Sequence, residues 1–144
     1  MKIEIREGFP DVEIIINCPH ITDEINKIAA MLQICEKRLP GVRDGKTYMF
    51  EKQDVFYIES VDKRCFIYTA RDTFETHLNL YEIEENLNDM GFFKNSKSQI
   101  PNIAKIKSLC PDFGGRIEVT METGEKLIVS RQYAKSLKER LGLR

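Results

Sequence analysis

The chain has 144 residues, 42% hydrophobic and 31% charged, with a formal net charge of −1, a make-up that fits one ordinary globular domain and excludes intrinsic disorder. No stretch approaches the ~18–20 uninterrupted apolar residues of a membrane-spanning helix, and Met1–Glu7 alternates charge with isoleucine. A secretion signal and a membrane-embedded protein are therefore excluded, and the chain reads as cytoplasmic. The small total charge hides an asymmetry: residues 1–90 carry 11 Lys and Arg against 18 Asp and Glu, whereas residues 91–144 carry 11 against 5. The balance runs from −7 to +6, which points to an anionic partner at the basic end unless that face only solvates the fold.

In chain order, Met1–Arg6 and Val12–Asn17 have the β-branched content of short strands, with Gly8 and Pro10 between them as a turn. Thr22 is placed to cap a helix with Asp23 and Glu24 in its first turn, and Ile25, Ile28, Ala29, Leu32 and Cys35 recur at helical spacing up to Pro40. Leu39–Lys46, with one Pro and two Gly, reads as a linker, so the expected organisation is a strand–helix extension over 1–42 and a second unit over 43–144. Tyr48–Glu51, Val55–Glu59, Cys65–Ala70 and Thr73–Leu78 are short β-rich runs between polar turns and predict an antiparallel meander. A second helix is expected from Asn79, with Leu80, Ile83 and Leu87 on one face, stopping before Gly91. A hairpin follows a polar stretch, Arg116–Met121 and Lys126–Val129 about a Thr123-Gly124 turn. Ser130 then caps a closing helix with Tyr133, Ala134, Leu137 and Leu141 inward and Lys135, Lys138 and Arg140 outward.

Catalytic and metal motifs are missing from this pattern. Cys18, Cys35, Cys65 and Cys110 are far apart, and together with His20 and His77 they lack the close double spacing of a zinc site. No phosphate-cradling glycine loop, nucleophile elbow or paired-carboxylate motif occurs, and Asp112-Phe113-Gly114 is read as a turn. The expectation is a protein that is not an enzyme and needs no metal or other cofactor. The informative stretch is Phe92–Asn102, FFKNSKSQIPN. Its lysines suit phosphates, its Asn and Gln side chains suit base edges, and its serines suit either; an ordinary polar surface loop has the same composition.

The order of these segments resembles a known family. Tyr57-Ile58-Glu59-Ser60, a helix with Leu80-Tyr81-Glu82-Ile83-Glu84, FFKNSKSQIPN, a hairpin and Val129-Ser130-Arg131 are similar to the LytTR family of bacterial DNA-binding domains over about residues 45–144. Against the signature Phe-x-Arg-x-His-x-Ser-x-x-Val-Asn, the chain places Phe92, Lys94, Ser96, Ser98, Pro101 and Asn102 at the specified positions and Lys97 at a variable one. Lys94 lacks the planar fork of arginine, Ser96 lacks an imidazole and Pro101 lacks a backbone donor.

The resemblance implies an α+β fold, predominantly antiparallel β, in which a β scaffold with flanking helices projects loops into the major groove of double-stranded DNA. It implies DNA contacts from Lys63 and Arg64 in one turn, from Lys94, Asn95, Ser96, Lys97, Ser98 and Asn102 around the signature, and from Arg131 at the start of the last helix. A cation there opposes the helix dipole, a local cost that often accompanies function. The first 40 residues are too few for a receiver domain, so a stand-alone transcriptional regulator is expected. Those residues could pack on the β unit, make a homodimer on repeated half-sites or meet a regulatory protein partner. The rival reading is a sensory or protein-interaction module of the same build, favoured by the acidic residues 1–90.

Overall fold

The computed structural model describes residues 1–143. Two expectations for the N-terminal part are corrected. Residues 1–22 form neither strand, although α1 (Asp23–Cys35) begins where expected, with the Thr22 Oγ1 accepting from Ile25 N at 3.3 Å. A strand needs a neighbour to receive its N–H and C=O groups, and no strand among the described residues pairs with this segment. Its Ile3, Ile5, Phe9, Val12, Ile14, Ile15, Ile16 and Ile21 all remain exposed, so the segment does not pack on the body.

The second correction concerns the expected linker. Leu39–Lys46 belongs to a hairpin, β1 (Leu39–Arg43) and β2 (Lys46–Phe50), whose two-residue turn holds Asp44 and Gly45 at φ 50° and 74°. Positive φ at both central positions matches the right-handed twist of the flanking strands. The expected boundary after residue 42 therefore falls inside β1, and α1 shares a core with the strands through Ala30 and Ile34. Gly41 is needed for close approach. A Cβ there would stand 2.8 Å from Phe74 Cβ and 2.9 Å from Phe50 Cε2. Gly41→Ala is expected to cost about 1–3 kcal/mol, read as a lower urea midpoint at unchanged slope.

β3 (Tyr57–Val61), β4 (Arg64–Tyr68) and β5 (Thr73–Thr76) form three strands of the expected meander, whereas its first run, Tyr48–Glu51, falls in β2, which pairs with β1 and not with β3. The hairpin β1–β2 joins it beside β5, and β6 (Gln99–Pro101) joins beside β3, giving a sheet in the order β2-β1-β5-β4-β3-β6. A second sheet contains β7 (Ile106–Pro111), β8 (Ile117–Met121) and β9 (Lys126–Val129), the last two being the expected hairpin. β7 lies in the stretch read only as polar. A register shift between Ile106 and Ser108 interrupts its pairing, so the half-buried Ile106 and Leu109 fall three residues apart and the alternation is lost.

The interior divides into two cores. Val55, Ile58, Ile67 and Phe92 pack with α1 and α2 (Leu80–Leu87), the latter capped by Asn79, whose Oδ1 accepts from Glu82 N at 2.9 Å. Phe56, Tyr57 and Phe93 pack instead with the second sheet and with Ala134 and Leu137 of α3 (Arg131–Arg140). The consecutive Phe92 and Phe93 thus anchor the start of the signature loop in both cores, which fixes the loop at the seam between them.

Candidate nucleic-acid interface

The signature segment folds as a ragged hairpin. Phe92 lies opposite Asn102 and Ser96 opposite Gln99, while Phe93 N donates to Pro101 O at 3.1 Å and Asn95 N to Gln99 O at 3.2 Å. Lys97 and Ser98 occupy the exposed tip. Ser96 is half-buried and its hydroxyl accepts from Ser98 N at 3.3 Å, which tightens that tip.

Two expected DNA contacts are corrected by burial. Asn95 is 0% exposed, and its amide nitrogen donates to Gln99 Oε1 at 2.7 Å and to Ile128 O at 2.9 Å. Asn102 is 2% exposed: its Nδ2 donates to the carbonyls of Lys52 and Val55, both at 3.0 Å, and its Oδ1 accepts from Ala104 N at 3.1 Å. The Asn102 side chain is consumed in holding the loop, and that of Asn95 is bonded through its nitrogen while its Oδ1 is buried without a partner, so both amide edges are turned inward. Gln99 continues the support by donating from Nε2 to Glu59 at 2.9 Å, and Glu59 also accepts from Tyr68 at 3.2 Å. The stacked neighbour of Tyr68, Tyr57, donates to Glu125 at 2.7 Å; burial, with that bond, holds its phenol well above the ordinary range.

The remaining expected residues lie at two kinds of place. Lys63 is exposed in the β3–β4 turn, where Asp62 and Lys63 have φ 50° and 65°, the same turn geometry as Asp44-Gly45 but without a glycine. Arg131 is exposed at the first position of α3, and the Ser130 hydroxyl before it makes no capping bond. Lys94 and Arg64 are engaged: the Lys94 ammonium lies 3.6 Å from Glu84, and the Arg64 guanidinium meets Glu75 through bonds of 3.0 and 2.6 Å, with its carbon 5.3 Å from the centre of the Phe66 ring.

The Arg64 pair carries a pH signature. The hydrogen bond from Arg64 holds the Glu75 carboxyl below its ordinary value, so the pair stabilises fully above the unfolded value of ~4.3 and is lost as pH falls through the lower folded one. An NMR titration of the Glu75 carboxyl carbon is expected to show a midpoint below the unfolded reference, rising in Arg64→Ala. An unchanged midpoint in that variant would contradict the pairing.

Backbone bonds set the turns and loops in a row. Ser60 N donates to Ser98 O at 2.8 Å, joining the end of β3 to the loop tip, and Ser130 N donates to Asn95 O at 2.9 Å, joining the loop to the start of α3. The Arg131 stem lies against Gly115, where a Cβ would come within 3.3 Å of Arg131 Cγ. One edge of the molecule therefore presents, in sequence, the Lys63 turn, Lys97 and Ser98, Arg131, and the turn Phe113–Gly115. The last turn brings Phe113 and Arg116, both exposed, which the sequence pattern did not place in the site. The signal for them was an aromatic side chain followed by two glycines in an otherwise polar stretch. Arg140 has a supporting role instead: its guanidinium donates to Phe92 O at 2.9 Å and Asn88 O at 3.3 Å, tying the end of α3 to the root of the loop.

Among the described residues no group of three or more His, Cys, Asp and Glu gathers as a metal site, and burial pushes the Cys65 thiol up to about 12. No described helix is long and apolar enough to cross a membrane.

The β scaffold sets loops bearing lysine, arginine and hydroxyl groups along one edge, a surface suited to the phosphates of a nucleic acid. The family model described as the LytTr DNA-binding domain matches residues 45–142, and the chain belongs to that family. The expected resemblance and the α+β scaffold are thereby established, and the chain is a DNA-binding domain of that family. A solved LytTr DNA-binding domain from Bacillus cereus matches with a TM-score of 0.70 and 25% identity, over 74% of this chain and 98% of its own. The sensory transduction protein LytT of Bacillus cereus is 36% identical over 89 residues, 62% of this chain and 36% of LytT, so the chain spans about a third of that relative. An uncharacterized HTH-type transcriptional regulator of Staphylococcus aureus strain MSSA476 is 30% identical over 147 residues, covering 99% of both chains.

Proposed function

We propose that the protein is a cytoplasmic, non-enzymatic regulator that binds double-stranded DNA as a homodimer on repeated half-sites, with Lys63, Ser96, Lys97, Ser98 and Arg131 facing the duplex. The observation that carries this reading is the row formed by the Ser60–Ser98 and Asn95–Ser130 backbone bonds, which sets exposed groups from three separate segments along one edge. Arg131, with its planar fork, suits a guanine through O6 and N7; Lys97, on an exposed tip, suits a phosphate. Arg64 joins the surface as a charge whose fork is already held by Glu75, and Lys94 is held in the same sense by Glu84. Dimerisation is supported by the exposed apolar residues of 1–22, which a second copy or a regulatory protein partner would cover.

Selection of bound duplexes from a random pool tests binding and reports the preferred site together. On that site, Arg131→Ala is expected to cost ~1–3 kcal/mol at one base position and to relax the preference there, whereas Lys97→Ala should weaken all sequences about equally. Both residues are exposed, so both variants should fold. Folded variants with unchanged affinity for the selected site would rule out this assignment.

A further inference from the structure

Phe113 is 86% exposed, yet the turn that carries it is strapped. Asp112 N donates to Arg116 O at 2.9 Å, Arg116 Nε donates to Phe113 O at 3.1 Å, and the Arg116 guanidinium pairs with the Asp112 carboxylate at 3.3 Å. Gly114 and Gly115, at φ 73° and 81°, make the reversal, and the missing Cβ of Gly115 lets the Arg131 stem lie against the turn. A lone exposed apolar side chain needs no explanation. A ring held almost wholly in water, on a rigid support, beside the arginine that faces DNA, is a different case.

We propose that Phe113 is a wedge that enters the duplex at the base step flanking the Arg131 contact, unstacks that step in part and bends the DNA. Apolar side chains wedged between base steps kink a duplex, by ~20–90° where they enter from the minor groove, and let it wrap more of the protein. The surroundings suit such a wedge. Arg131, whose stem lies against Gly115, is set to hold a base edge next to the step that the ring would enter, and the turn, strapped by Arg116, holds the ring out before DNA arrives. The proposal deepens the reading of this edge as the DNA surface and rests on it.

The test uses the full chain and the duplex that it selects, with 2-aminopurine replacing each adenine in turn and a donor–acceptor dye pair on the two ends. Wild-type protein is expected to brighten 2-aminopurine at one step and to shorten the end-to-end distance. Phe113→Ala should abolish both responses and weaken binding by about tenfold or more, the scale of one lost aromatic–base stack, with no change in melting temperature because the ring is exposed. Phe113→Leu, which keeps an apolar wedge, should retain most of the bend. Equal affinity and bend for wild type and Phe113→Ala would overturn the wedge while leaving DNA binding in place, and so would a loss of affinity with no 2-aminopurine response at any step. A wild-type chain that selects no sequence would instead remove the underlying reading, and the wedge with it.

Discussion

Asn102→Ala is expected to lower the stability of the folded chain by about 2–4 kcal/mol, because each buried group left without a partner costs roughly 1–3 kcal/mol. The substitution leaves the Val55 carbonyl without its amide donor, takes one of two donors from the Lys52 carbonyl, which also accepts from Val55 N at 3.3 Å, and removes the acceptor for Ala104 N. Asp at the same position fits the space and keeps the acceptor, yet turns a carboxylate oxygen toward those carbonyls and should do no better. Urea unfolding followed by circular dichroism checks the size of the loss, and a midpoint within error of wild type would show that the staple carries little. DNA affinity, measured where the variant is fully folded, should change much less than stability. That separation matters because Asn102 stands at a fixed position of the family signature, where lost binding in a cell would otherwise pass for a lost base contact.

Specific binding should also collapse with salt. If about six cationic contacts reach phosphates, the slope of log affinity against log salt is near −5, and affinity falls about 10³-fold between 50 and 200 mM salt. Lys63, Lys97 and Arg131 lie along the edge, and α3 continues it with the exposed Lys135 and Lys138, whereas Arg116 already pairs with Asp112. Arg64 and Lys94 already face carboxylates and Arg140 faces carbonyls, so they release fewer counterions than free cations would. The Lys97→Ala slope should be shallower by roughly one, and Arg140→Ala should leave it unchanged while destabilising the fold. A slope shallower than about −2 would mean that phosphate contacts do not dominate the affinity.

The parts of the fold that were legible in the sequence are those specified by local pattern. α2 and the β8–β9 hairpin follow from helical spacing after Asn79 and from strict alternation about Thr123-Gly124, and both stand where expected. Residues 1–17 also have strand composition, but composition cannot supply a partner strand, and the segment stays unpaired. Pro40 and Gly41 look like chain breakers locally; what decides their place is the approach of Phe50 and Phe74 from elsewhere in the chain. The candidate site divides in the same way. Lys63, Lys97 and Arg131 were legible as charges in turns or at a helix start, whereas the burial of Asn95 and Asn102 depends on carbonyls 33, 47 and 50 residues distant. Phe113 was not legible because its meaning comes from Arg131, which only the folded chain brings beside Gly115.

Within the signature loop, structural and exposed positions are interleaved: Phe92, Phe93, Asn95 and Asn102 are buried, while Lys97 and Ser98 project from the tip. This separation leaves the tip open to substitution over evolutionary time. The tip side chains fill no core and hold no buried carbonyl, so they can drift without passing through an unfolded intermediate sequence. Substitutions at the tip can therefore accumulate while everything that makes the chain fold is inherited intact.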